Sequence, residues 1–398
     1  MNDRSSLSPS TQFVHHKRVN LPKGNLPLVS PIYQSVKFTP ANMSQLRAIM
    51  GGRDIGYLYS RISNPTVREL ETLLAELQGR EDAIAAASGI AALTAVAMTF
   101  LTTGDRVVVF TESYKPTRFL LSGILSRFGV ETIRLSRDDY DKFEAICQGA
   151  KPPKVVFLES PTNPTLRIHD LPRIIKTAKA AHCLTVLDNT FAGFLEHQAF
   201  DIDLFVHSLT KQASGHSDAM GGIIIGKRTL IDKLFPVAMT LGGCLDPNSA
   251  WLILRGMKTY GLRTAESSRL AIEIATWLTT QTWAKNIRYP ALKTHPDHEL
   301  WKKQNRSGGS VITFDLTCAD KDVDKFFDNL RLFSVTPSLG CVESLAVPCL
   351  MLYADDLPPE EALAAGISLQ TVRLAIGIEG LDDLKADLLQ AAAKTTGQ

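Results

Sequence analysis

From about residue 82 the chain alternates between two hydrophobic periods. The apolar runs at 106–110, 154–158, 184–187 and 203–206 are four or five residues long, too short for buried helices, and read as buried strands. Residues 130–135 and 221–226 read the same way, and 116–127, 139–147 and 171–180 carry helical spacing between them. Short apolar strands separated by helices predict an α/β fold with a mainly parallel sheet covered on both faces. Upstream, Asn64 before Pro65 is a cap and first-turn pair for a helix running to Leu77.

The ends of the chain depart from this pattern. Residues 1 to about 60 are broken by Pro22, Pro27, Pro31 and Pro40 and read as irregular. Within them, 29–38 is an extended arm whose apolar residues have little core of their own to join, which predicts that it lies on a neighbouring domain or subunit. Near 258–265 the alternation stops. Helices at 248–259 and 264–277 lead into a second domain with strands at 308–314, 332–335 and 372–377 and a closing helix from Leu381. The expected division is an arm (1–60), a large domain (61–260) and a C-terminal domain (261–398).

Composition narrows the partners. The 398 residues carry 44% hydrophobic and 21% charged positions with a net charge of +2, ordinary for a soluble chain and too balanced to hold nucleic acid by bulk charge. No apolar run is long enough to span a bilayer, and Met1–Ser6 lacks an apolar signal core. The six cysteines are scattered without a Cys-x-x-Cys pair, so neither a metal site nor a disulfide framework is expected, and a reducing cytoplasm fits.

In a sheet of this kind ligands bind outside the carboxyl ends of the strands. Those ends carry Tyr114, Asn163, Asp188, Ser208, Thr210 and Lys211. A lysine ending a buried strand is partly desolvated, which frees its amine as a nucleophile. Ser208 and Thr210 can both donate to a phosphate, and pyridoxal phosphate carries both a phosphate and an aldehyde. A phenol over the ring, an amide for the ring hydroxyl, a carboxylate for the ring nitrogen and an amine for the aldehyde make a pyridoxal site. Ser88-Gly89 opens a helix whose first-turn N–H groups favour a phosphate, or it is a plain serine cap. Tyr59 and Arg61, two apart in an extended segment, either clamp an anion or are a packed tyrosine beside a surface arginine.

The chain resembles the Cys/Met-metabolism pyridoxal-phosphate enzymes from about Pro31 to its end. The resemblance rests on Tyr59-Ser60-Arg61-x-x-Asn64-Pro65-Thr66, Ser88-Gly89, Gly104-Asp105, Glu159-Ser160-Pro161-Thr162-Asn163-Pro164, Asp188-Asn189-Thr190, Ser208-x-Thr210-Lys211 and Gly215-His216-x-Asp218. Ser338-Leu339-Gly340, Glu343-Ser344-Leu345 and Val372-Arg373-Leu374-x-x-Gly377-x-Glu379 complete it. It implies the aspartate-aminotransferase-like fold (fold type I), with a mainly parallel sheet in a large domain and a smaller α+β C-terminal domain. Lys211 would form the Schiff base and shuttle protons, Asp188 would keep the ring nitrogen protonated, and Tyr114 would stack on the ring and assist proton transfer. Gly89, Ile90, Ser208 and Thr210 would hold the phosphate, with Ser88 and Asn163 beside the cofactor. Tyr59 and Arg61 would reach the adjacent subunit's phosphate, in a catalytic dimer and a tetramer built from such dimers. Ser338, Leu339 and Arg373 would bind the substrate carboxylate.

The expected chemistry is β- or γ-elimination, or γ-replacement, on sulfur-containing or acylated amino acids, as in trans-sulfuration. The alternatives are a γ-lyase for a non-sulfur γ-substituted amino acid, an aminotransferase of the same fold, and a cofactor-free scaffold. The loop Lys115-Pro116-Thr117-Arg118 departs from the usual Tyr-Gly-Gly-Thr or cysteine-bearing run, which argues against a methionine γ-lyase and predicts added positive charge at the entrance. Gln212-Ala213-Ser214 and Cys341 are further departures around the substrate.

Overall fold

The computed structural model describes residues 23–51 and 56–396. Residues up to Ile32 form one unit, whose described part, 23–32, holds no helix or strand, and Tyr33 onward forms another. The expectations for 1–22 and 52–55 lie outside the described residues. Within 33–60 the extended reading holds for Lys37, which bridges Tyr59 in antiparallel fashion. The irregular reading does not hold for Met43–Met50, a helix (α1) that the proline pattern hid. Its start is local chemistry: the Asn42 side chain accepts the Gln45 N–H, and Gln45 Oε1 accepts the Ala41 N–H. None of its residues is buried.

The helix Pro65–Gln78 (α2) begins at the predicted Asn64 cap and ends on Gly79 in the left-handed region. Seven strands follow: β1 (Asp82–Ala86), β2 (Arg106–Phe110), β3 (Glu131–Leu135), β4 (Val155–Glu159), β5 (Leu184–Asp188), β6 (Leu204–Ser208) and β7 (Gly222–Gly226). Their order across the sheet is β1-β7-β6-β5-β4-β2-β3, and β7 alone runs antiparallel to its neighbours. Strands β4 and β7 are buried throughout, as helices on both faces require. The helix Gly89–Phe100 (α3) packs against β6 and β7.

The predicted helix at 116–127 is divided into three short turns, Lys115–Phe119, Leu120–Ile124 and Leu125–Phe128. The middle one is a widened π turn containing Gly123, where a Cβ would stand 2.7 Å from the Phe119 ring. The helix Arg228–Leu241 escaped prediction because Pro236 lies inside it.

Helices Pro247–Met257 and Tyr260–Leu278 lead to the second, smaller sheet domain. Its strands are β8 (Ala284–Arg288), β9 (Val311–Leu316), β10 (Ser334–Val335), β11 (Leu345–Pro348) and β12 (Thr371–Ala375), ordered β10-β11-β12-β9-β8. Only β10 and β11 pair in parallel. Asp297 ties this half of the chain to the first. It accepts Arg137 Nη2 at 2.7 Å, Arg167 Nε at 2.6 Å and the Ile168 N–H at 3.0 Å. Burial raises the carboxyl's pKa, but Arg167, the Ile168 N–H and Arg137 outweigh it and hold the group below the usual carboxylate range.

Candidate active site

The sheet register brings the strand-end residues together. Glu159 and Asp188, the last residues of β4 and β5, stand opposite each other, and Asp188 in turn stands opposite Val206 of β6. Ser208 closes β6 opposite Gly222 of β7. A cavity of about 280 Å³ opens over these ends. It is lined by Ser88, Gly89, Ile90, Tyr114, Asn163, Asp188, Ser208, Thr210, Lys211, Ser338, Leu339 and Arg373, which is every predicted site residue except Tyr59 and Arg61.

The fold positions each group by a simple device. Asp188 Oδ1 accepts the Thr190 N–H at 3.1 Å and the Thr190 hydroxyl at 2.6 Å. The same hydroxyl accepts the Ser208 N–H at 2.8 Å, coupling the ends of β5 and β6. Lys211 leaves the turn after β6 and donates from Nζ to Ser338 Oγ at 2.9 Å. Arg373, fully buried in β12, donates from Nη1 to Asn163 Oδ1 at 3.0 Å and from Nη2 to the Ser338 carbonyl at 2.6 Å. Its Nε has no hydrogen-bond partner.

Burial lowers the Lys211 pKa, and Arg373 adds repulsion, so the amine gives up its proton more readily than a surface lysine and is freed to act as a nucleophile. Burial raises Asp188, opposed by the two Thr190 donors and by Lys211. Glu159 is raised well above the usual range, first by burial and then by Asp188. It is the acceptor for the Tyr114 N–H at 2.5 Å and so anchors the aromatic loop. Burial also raises the Tyr114 phenol, with Glu159 and Asp188 adding to it.

One end of the cavity suits a phosphate. Ser88 caps α3, its hydroxyl accepting the Ala91 N–H at 3.1 Å, and the helix N-terminus meets the Ser208 and Thr210 hydroxyls. A Cβ on Gly89 would stand 2.9 Å from Ser208 Cβ, and one on Gly222 would stand 2.1 Å from the Ser88 carbonyl oxygen, so this cradle needs both glycines. Phosphate donors, a buried carboxylate and a desolvated amine around one space fit pyridoxal phosphate.

Tyr59 and Arg61 lie elsewhere. The guanidinium is 5.7 Å from the Tyr59 ring centroid and donates to the Met239 carbonyl at 2.7 Å. The expected entrance charge is also corrected. Lys115 pairs with Asp355 at 2.5 Å, and Arg118 is buried against Asp356, so both cations are neutralised by acids on a distant loop.

Sequence reasoning left out Glu159, Thr190, Phe191 and Tyr353, all of which line the cavity. Glu159 and Thr190 lay inside quoted motifs, at strand-end positions that could have flagged them. Tyr353 gave no signal, since it arrives on the π turn Leu350–Ala354 of the smaller domain.

The comparisons with known proteins agree with this geometry. The family model for "Cys/Met metabolism PLP-dependent enzyme" matches residues 10–393. Cystathionine gamma-lyase of Bacillus subtilis is 37% identical over 91% of this chain and 93% of its own. A putative O-acetylhomoserine (thiol)-lyase of Campylobacter jejuni, solved with pyridoxyl-lysine-5′-monophosphate, superposes with a TM-score of 0.87 at 30% identity, covering 95% of this chain and 98% of its own. Cystathionine gamma synthase of Xanthomonas oryzae, solved with aminoacrylate and cysteine, gives 0.86 at 32% identity over 93% and 94%. A family match that runs nearly end to end, on a fold whose strand ends gather a lysine, a carboxylate and a phosphate cradle, is decisive: the chain belongs to the PLP-dependent enzymes of Cys/Met metabolism.

Proposed function

We propose that this protein catalyses β- or γ-elimination, or γ-replacement, on α-amino acids bearing a sulfur-containing or acylated side chain, through a Lys211 Schiff base. The observation that carries the reading is the sharing of one cavity by Lys211, Asp188 and Arg373. Bound pyridoxal phosphate supplies an electron-withdrawing ring for charge developing at the substrate α-carbon. Ser88, Gly89, Ile90, Ser208 and Thr210 would hold the phosphate, and Asn163 would serve the cofactor from the same cavity. Asp188 fixes the proton on the ring nitrogen, with the Thr190 donors orienting its carboxylate. Arg373, with Ser338 and Leu339, receives the substrate carboxylate in its planar fork. Lys211, its pKa lowered by burial, would be the base positioned to take the substrate's Cα proton. The same amine takes a Cβ proton when the leaving group is on Cγ. Tyr114 covers the ring and assists proton transfer.

Tyr59 and Arg61 serve the phosphate site of a second subunit in a catalytic dimer, two of which form a tetramer. Their position outside this chain's own cavity supports that reading. Six free cysteines support a reducing cytoplasm, and among the described residues no helix is long and apolar enough to cross a membrane.

The test is to assay the purified, cofactor-loaded protein against cystathionine, cysteine, methionine and acylated homoserines, distinguishing pyruvate from 2-oxobutyrate. Lys211→Ala is expected to abolish turnover. An active variant, or borohydride fixing the ring to another side chain, overturns the assignment.

A further inference from the structure

The wall facing Lys211 is organised on Ser338, whose hydroxyl and carbonyl are both engaged. Lys211 Nζ donates to Oγ at 2.9 Å, and Arg373 Nη2 donates to the carbonyl at 2.6 Å. Ser338 has φ 114°, a conformation L side chains rarely adopt, which persists only when the surroundings over-determine it. Tyr353 adjoins this wall through Arg373, which holds the Ser338 carbonyl. Its ring lies 4.5 Å from the Arg373 guanidinium carbon, with Phe191 a second aromatic neighbour at 5.9 Å.

Tyr353 is itself held from behind. Arg118 Nη2 donates to the Tyr353 carbonyl at 2.8 Å, while Nη2 and Nε reach Asp356 Oδ1 at 2.5 Å and Oδ2 at 3.1 Å. Lys115 adds a second tie at Asp355. Arg118 is only 3% exposed, so its charge is spent on this loop rather than on solvent. The Tyr353 turn is therefore fastened to the segment directly after Tyr114.

We propose that Tyr353 is a positioning residue. Clamped by Arg118 and Asp356, it lays its ring on the Arg373 guanidinium, and so fixes the plane in which the fork meets the substrate's α-carboxylate. Bidentate carboxylate binding demands coplanarity. Asn163 and the Ser338 carbonyl hold two guanidinium nitrogens, and the aromatic face sets the tilt that such contacts leave free. This rests on the proposed amino-acid chemistry and names the device by which the same site recognises the carboxylate.

The experiment compares holoenzyme variants in steady-state kinetics with an amino acid the parent turns over. A spectroscopic titration with a simple alkylamine lacking a carboxylate accompanies it. Tyr353→Leu is expected to raise KM roughly tenfold, the scale of a lost desolvated cation–π contact. Its kcat stays within a few-fold and its cofactor absorbance is retained. Tyr353→Phe, which keeps the ring face, restores most of the KM. Asp356→Asn raises KM several-fold, and alkylamine binding is unchanged in all three. An unchanged KM in Tyr353→Leu, a loss confined to kcat, equal damage in Tyr353→Phe, or equal weakening of alkylamine binding overturns the proposal. Should Tyr353→Leu fail to fold, an unchanged KM in Asp356→Asn overturns it. A colourless parent protein overturns the underlying reading and this one together; a coloured, Lys211-dependent enzyme indifferent to Tyr353 overturns this one alone.

Discussion

Glu159→Gln and Asp188→Asn are nearly the same substitution on facing residues of neighbouring strands, and they should have opposite consequences. Adjacent strands run ~4.8 Å apart. Two carboxylate charges on the order of 5 Å apart, at an effective dielectric near 20, repel by about 3 kcal/mol. That is roughly two powers of ten in population, and added to the burial that already raises both groups it favours the state with one charge and one proton between them. Asp188 has two donors from Thr190 and a nearby Lys211, whereas the hydrogen bond Glu159 receives is the Tyr114 N–H. Glu159 is therefore the protonated member, and glutamine mimics it. Glu159→Gln should keep kcat/KM within a few-fold, because the amide oxygen still accepts from Tyr114. Asp188→Asn removes the charge opposing the ring nitrogen and should lower kcat/KM by about a hundredfold, the same electrostatic scale. Stability gives an independent sign. A carboxyl whose folded pKa is raised binds its proton more tightly in the native state, so its stabilising contribution is present at low pH and is lost as pH rises through the folded value. Glu159→Gln should then melt higher than the parent near neutral pH, with the gain fading toward an unfolded glutamate's pKa of about 4.3. Steady-state kinetics and thermal melts across pH measure both effects. Equal losses of activity in the two variants, or a Glu159→Gln melting temperature below the parent's at neutral pH, would refute the assignment of the charge.

Other outcomes follow from the same geometry. Arg61→Ala should raise the cofactor dissociation constant by tenfold or more, since a hydrogen bond to a charged group contributes about 1.5–3 kcal/mol; unchanged retention on dialysis removes the cross-subunit clamp. Gly222→Ala drives a Cβ to 2.1 Å from the Ser88 carbonyl, and should cost about 1–3 kcal/mol of stability and loosen the cofactor; denaturant midpoints and a cofactor titration check this. Asp297→Ala removes the buried acceptor of Arg137 and Arg167 and leaves them only the exposed Asp138 as an acidic partner, and unfolding in denaturant should show a loss of up to about 3–5 kcal/mol.

Local patterns in the sequence carried much of this site because strand ends are local. The apolar runs stopped one or two residues before β4, β5 and β6 end, so Asp188, Ser208 and Lys211 could be placed without knowing their partners. Asn64-Pro65 marked a helix start by its own chemistry. What stayed hidden depends on distant chain. Glu159 gains its meaning from the register that sets it against Asp188. Arg118 reads as a surface charge until Asp356, 238 positions away, buries it. β11 is four residues ending in Pro348, too short to announce itself. The interior Pro236 argued against a helix that packing against α3 sustains.

Lys211, Asp188 and the phosphate cradle come from the larger sheet, and Arg373, Ser338 and Tyr353 from the smaller one. In the proposed function, reactivity and selectivity thus sit on separate stretches of chain. One stretch can be edited while the other stays whole, and a graft of residues 334–375 between relatives would show whether substrate choice travels with it.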